Sequence, residues 1–227
     1  MQPLTTERLS VIQVPELAAR GYEIHEWKHA TAILRTDFPE EWQDIAKVMN
    51  DFSLRKSAVV AEGGGKTKDI AGVIDAAFTT RGWREKGFAT KVVVDEHEMD
   101  SPTHKVDCYK NRVALELEWN NKDPFFDRDL NNFRLLFDLR AISVGIIITR
   151  CDELQDIFDG LYVTDSKREA VKQIGKKYGP STTHLSRLLP RIEGGGGGGC
   201  PILVIGISKA VYVEDVQGYS KDIPNAS

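Results

Sequence analysis

Two runs in this chain, VGIIIT at residues 144–149 and PILVIGI at 201–207, are almost continuously apolar and rich in branched side chains. Side chains alternate between the two faces of a strand, so a run without charge on either face reads as a strand buried on both. Such strands need cover above and below, which helices supply in layered α/β domains. The expected fold class is therefore α/β, with a central mixed β-sheet flanked by helices. A length of 227 residues suits a single domain and buries a sizeable core without metals or disulfides.

The rest of the chain supplies helices and further strands. HATAILRTDFPEEWQDIAKVMNDF repeats apolar residues at helical spacing, with Pro39 suited to a first turn. Ile70 to Phe78 reads as a helix ending near Gly82, preceded by a basic, glycine-rich loop from Lys56 through Lys66 and Lys68. FFDRDLNNFRLLFDLRAI reads as a helix, and the segments from Asp165 to Lys177 and Ser181 to Arg191 as helical in part. Six glycines, Gly194 to Gly199, read as a flexible connection, and the polar tail 217–227 as disordered.

KVDCY and RVALELEW read as two strands of a hairpin. Glu116 and Glu118 then share one strand face, with Leu115 and Leu117 on the other. Whether the turn is Lys110-Asn111 or the four residues 109–112, Asp107 falls opposite Ala114 and diagonal to Glu116. Diagonal neighbours lie about 7–8 Å apart at Cα, within reach of two carboxylates closing on one cation. Three carboxylates on one face repel unless solvated, protonated or bridged by metal. A hard divalent ion, Mg2+ above all, is one solution; an ordinary solvated strand face is the plainer one.

Other chemistries fit less well. Cys108, Cys151 and Cys200 are too dispersed for a zinc site, and the five histidines form no HExxH pattern. GGGKT ends like a phosphate loop, but that motif needs a glycine where Val60 stands. A net charge of -4 argues against coating nucleic acid by bulk charge and leaves room for a locally basic cleft. No apolar run approaches a membrane span, and no signal peptide is legible, so the expected location is cytoplasmic.

In order along residues 22–207, the stretches HATAIL with EEWQDI, IAGVIDAAFTTRGWRE, VDCYKNRVALELEW, VGIIITR and PILVIGI resemble the PD-(D/E)xK nucleases. The likeness is to type II restriction endonucleases of the BglII and BstYI group. It implies a restriction-endonuclease-like core, a prokaryotic source and Mg2+-dependent cutting of double-stranded DNA at a palindromic site. Asp107 and Glu116 would be metal ligands, with the Leu117 carbonyl a further one, and Glu118 would hold or polarise the attacking water. Most of the superfamily carries lysine at that third position, the BglII type glutamine and the BamHI type glutamate. A homodimer matches a two-fold site, with the helix from Phe125 to Ile142 a candidate interface, and a cognate DNA methyltransferase is the expected functional partner. A structure-directed or repair nuclease and a non-catalytic DNA-binding protein are the alternatives.

DNA readers are sought near the hairpin. Asn120, Asn121 and Lys122 follow its second strand and resemble a base-contacting loop; an ordinary polar turn has the same composition. Ser181, Thr182, Thr183 and His184, backed by Arg187, read either as the start of a groove-facing helix or as a plain N-cap. Lys66 and Lys68 suit backbone phosphates.

Overall fold

The computed structural model describes residues 9–63, 70–165 and 170–216. Lys66, Lys68 and the tail 217–227 lie outside the described residues. In chain order the elements are α1 (Pro15–Ala18), β1 (Glu23–Trp27), α2 (Ala30–Asp37), α3 (Pro39–Asp51), β2 (Leu54–Arg55), α4 (Lys56–Gly63) and α5 (Ala71–Thr79). There follow β3 (Arg84–Lys86), β4 (Ala89–Val94), β5 (His97–Pro102), β6 (Val106–Lys110), β7 (Val113–Glu118), α6 (Phe125–Asp138) and β8 (Val144–Arg150). The last are α7 (Leu154–Asp159), β9 (Tyr162–Asp165), β10 (Ala170–Gln173), α8 (Leu185–Glu193), β11 (Ile202–Ile207) and β12 (Tyr212–Val213).

The main sheet has six strands in the order β1-β11-β8-β7-β6-β3. β7, β8 and β11 run parallel, whereas β1, β6 and β3 pair antiparallel with their neighbours, so the sheet is mixed as expected. The two apolar runs, as β8 and β11, are buried at every position. Alternation divides their side chains between two cores. Leu115, Leu117, Ile146, Ile148, Leu203 and Ile205 enter the core shared with α2, α3 and α5. Ala114, Ile147, Ile202 and Val204 face α6 and α8. Glu116 and Glu118 lie on this second face by the same alternation.

α6 sits close to the sheet because Gly145 offers no side chain beneath it. A Cβ built there would stand 2.4 Å from the Phe133 ring. The ring therefore fills the place of a residue's side chain on β8, and the residues one turn earlier on α6 are carried over the end of β7.

Several expectations need correction. The hairpin turn is Asn111-Arg112, with Lys110 opposite Val113 and Cys108 opposite Leu115. Both turn residues have positive φ, 43° and 68°, the requirement of the two-residue turn that matches strand twist. The register is thus two residues from the expected one, and Asp107 faces Glu116 and not Ala114. Lys56 belongs to α4 and not to a loop; its side chain is buried, 3.6 Å from Glu214. Residues expected to be helical after Asp165 include β10, which pairs with β9. Helix α8 begins at Leu185 and not at Ser181. The six glycines form a packed cap: a Cβ at Gly197 would meet Ile202 at 2.4 Å. The β4–β5 hairpin, unforeseen in the sequence, falls between β3 and β6 in chain order and among the described residues pairs only within itself. No helix among the described residues is long and apolar enough to cross a membrane.

Candidate active site

The hairpin register brings Asp107 across from Glu116, and there carboxylates bond the main chain. The Asp107 N–H donates to Glu116 Oε2 at 3.3 Å, and the Leu117 N–H donates to Asp107 Oδ2 at 3.2 Å. One residue's N–H and C=O leave a strand on the same side, so the Leu117 carbonyl also faces Asp107. Asp107 is exposed, whereas Glu116 is 1% accessible. Among the described residues Glu116 Oε1 is buried and has no hydrogen-bond partner. The acidic face is therefore no solvated strand surface: it runs from a wet carboxylate at its mouth to dry ones behind.

Glu118, also 1% accessible, is gripped from two directions. Asn121 donates an amide N–H to its Oε2 at 2.8 Å, and the Arg128 guanidinium lies 3.4 Å from its Oε1. Arg128 stacks over the Phe125 ring at 4.3 Å and donates to Asp129 Oδ1 at 2.8 Å. Asp129 is itself buried on α6, its second oxygen without a partner among the described residues. Burial, and then the nearby charges of Asp107 and Asp129, hold the Glu116 carboxyl well above the ordinary range. Burial, followed by Asp129, pushes Glu118 up to about 9. Asp129 is raised by the same loss of water. On α5, Asp75 is pushed up to about 6 by burial and by the charge of Asp107.

These donors fit magnesium. The ion takes hard oxygens, often one or two protein carboxylates with waters and substrate phosphate completing its shell. Asp107, the orphaned Glu116 oxygen and the Leu117 carbonyl form such a partial set. Among the described residues no three His, Cys, Asp or Glu side chains converge into a ready-made cage. An all-protein cage is what this ion does not require.

The two candidate DNA segments, some sixty residues apart by number, meet in space. Lys122 bridges to Thr182, the Asp123 N–H donates to the Ser181 carbonyl at 3.0 Å, and the Thr183 N–H donates to the Asn121 carbonyl at 2.9 Å. Within this joined edge the side chains differ. Asn121, Lys122, Ser181 and Arg187 are exposed. Asn120 is partly buried, its Oδ1 unpartnered among the described residues. Thr182, Thr183 and His184 are buried. Thr182 Oγ1 accepts from the buried Arg150 at 3.0 Å and donates to the Gly179 carbonyl at 2.8 Å. His184 Nδ1 lies 2.7 Å from Asp152, which also accepts from the Ser186 N–H and hydroxyl. Those contacts hold Asp152 below the usual carboxylate range against the opposing effect of burial.

Asp75, Arg128 and Asp129 were not singled out in the sequence. Asp129 had a readable signal: it falls within the apolar helical stripe Phe126, Leu130, Phe133, Leu136, where an unpaired charge has no place. Asp75 is likewise the lone charge in AGVIDAAFT.

A mixed sheet covered by helices, with opposed carboxylates where its antiparallel hairpin joins the parallel strands, defines a nuclease of restriction-endonuclease architecture. The family model for restriction endonuclease BglII/BglIII matches residues 22–207, and the chain belongs to that family. It is accordingly a type II restriction endonuclease, a hydrolase that cuts DNA at specific sites. None of the curated proteins compared matches the chain.

Proposed function

We propose that the chain cuts a palindromic site in double-stranded DNA with magnesium held by Asp107, Glu116 and the Leu117 carbonyl. The carrying observation is Glu116 Oε1, buried and without a partner among the described residues, beside an exposed Asp107 on one face. The bound ion would supply Lewis-acid polarisation of the phosphate and a more acidic water. Asp107, at the wet mouth, meets the incoming phosphate side first, while Glu116 anchors the set from within. Glu118 orients the attacking water and accepts its proton. Burial alone favours its protonated form, and a cation held beside it would restore the ionised form that this task needs. Asp75 is close enough to Asp107 to feel its charge and is a further acidic wall of the same site.

Asn120, Asn121, Lys122, Ser181 and Arg187 form the DNA-contacting edge, and Thr182, Thr183 and His184 hold its shape from behind. Lys66 and Lys68 would add backbone contacts. Two copies reading the two halves of a palindrome make a homodimer, with α6 and the residue that caps its end offering the exposed Phe125 and Leu139 to the partner. The enzyme would work in a prokaryotic cytoplasm beside a methyltransferase that protects the same sequence.

Plasmid DNA incubated with the protein and Mg2+ should yield discrete fragments, and a chelator should prevent it. Asp107→Ala and Glu116→Ala should each remove cutting while DNA binding in Ca2+ persists. Cutting undiminished in either variant would overturn the assignment.

A further inference from the structure

We propose that Asn121 is a positioning residue that links the DNA-reading edge to Glu118, so that base contact and alignment of the cutting carboxylate depend on each other. The inference rests on the reading above, in which Glu118 serves the attacking water and the loop after β7 meets DNA. Its basis is a division within one side chain. Asn121 lies in an exposed loop, yet its amide donates at 2.8 Å to a carboxylate that is 1% accessible.

The main chain around Asn121 is pinned on the far side. Its carbonyl accepts from the Thr183 N–H at 2.9 Å, and the next residue, Lys122, bridges to Thr182. Thr182 is tied to Arg150, which ends β8, the strand that pairs with β7 at Glu118 and Thr149. The loop is therefore built on the same sheet end as the carboxylate, and the Asn121 side chain joins the two.

An asparagine amide has two N–H donors and one carbonyl acceptor. With one N–H committed to Glu118, the other N–H and the carbonyl are left for DNA at this exposed position. Together they form the donor–acceptor pair that asparagine presents to a base edge. Glu118 thus fixes which way round the amide is presented, and a well-placed base in turn holds the amide that holds Glu118. Arg128 steadies the second Glu118 oxygen from α6, and a displaced Asn121 would remove the amide donor from Oε2.

The test is a double-mutant cycle read by DNA binding in EDTA, which requires no cutting. Wild type, Asn121→Ala, Glu118→Met and the double variant are titrated against one duplex. Methionine keeps most of the volume and removes the acceptor. If the residues act together, the affinity loss from Asn121→Ala should differ by about threefold or more between the wild-type and Glu118→Met backgrounds. Additive losses would overturn the proposal.

Single-turnover cutting with all DNA bound supplies a second measurement that needs only the single variant. Asn121→Ala should slow the saturated rate about tenfold or more, because a small misplacement of the group that orients the attacking water has that effect. An unchanged saturated rate with weaker binding would mark Asn121 as a reader alone and refute the link. Failure of wild type to cut at all would fall on the functional reading, while the binding cycle would still decide whether the two residues are coupled.

Discussion

Replacing Glu118 by glutamine should stabilise the metal-free protein, and the gain should grow with pH. Burial raises the Glu118 pKa from an ordinary 4.5 to about 9, so the folded chain binds this proton more tightly than the unfolded one. The sign follows: the group's contribution is fully present below the unfolded pKa and is lost as pH rises through the folded one. Between those limits each pH unit costs about 1.4 kcal/mol per such group. At pH 8 the cost reaches a few kcal/mol, even with part of the strain shared with Asp129 and offset by Arg128. Glutamine keeps the shape and an acceptor without the charge. For a domain of this size, each kcal/mol moves Tm by about 2–4 °C. Glu118→Gln should therefore melt about 5 °C or more above wild type in EDTA at pH 8, and near wild type at pH 5. Scanning calorimetry from pH 5 to 9 measures this directly. Saturating Mg2+ should narrow the difference, because a bound cation compensates the neighbouring carboxylates in the wild type. A variant no more stable than wild type at pH 8, or equally stabilised at both pH values, would show that folding does not raise the proton affinity of Glu118.

Two further perturbations test the scaffold. Gly145→Ala should destabilise the protein by about 1–3 kcal/mol, since its Cβ would stand 2.4 Å from Phe133, and Phe133→Leu should restore part of the loss in a thermal melt. Arg112→Gly should stabilise by about 1 kcal/mol in a urea titration, because Arg112 holds a φ of 68° that glycine adopts without strain. A Tm unmoved by Gly145→Ala would contradict the seating of Phe133 on Gly145, and a urea midpoint not raised by Arg112→Gly would contradict a strained turn.

Much of the fold was legible because β8 and β11 carry their environment in their own composition. A run such as VGIIIT tolerates no exposed face, and two such runs force the covered sheet. The helices α2, α3 and α6 announced themselves by period, and Pro39 by its place in a first turn. The hairpin register was less legible. The Asn111-Arg112 turn needs positive φ at both residues, and arginine is not a residue that signals it. The same holds for Asp95-Glu96, with φ of 48° and 68°, which hid the β4–β5 hairpin between an acidic pair. The glycine run misled for the opposite reason. Lack of side chains usually means freedom, but at Gly197 it serves close approach to Ile202.

The candidate site divides along the same line. That Asp107, Glu116 and Glu118 share a face follows from strand alternation alone, and it survives a register error of two residues because that shift preserves parity. What alternation cannot convey is dryness. Glu116 and Glu118 are acids in a strand whose second face is closed by α6, and α6 sits this close because Phe133 settles on Gly145, a residue on a different strand. The same seating brings Asp129 and Arg128 over Glu118. A carboxylate that looks like surface decoration in LELEW is thereby surrounded by a helix, a loop amide and a second acid drawn from separate parts of the chain. Its proton affinity, and with it the chemistry open to it, is a property of that meeting and not of the strand that carries it.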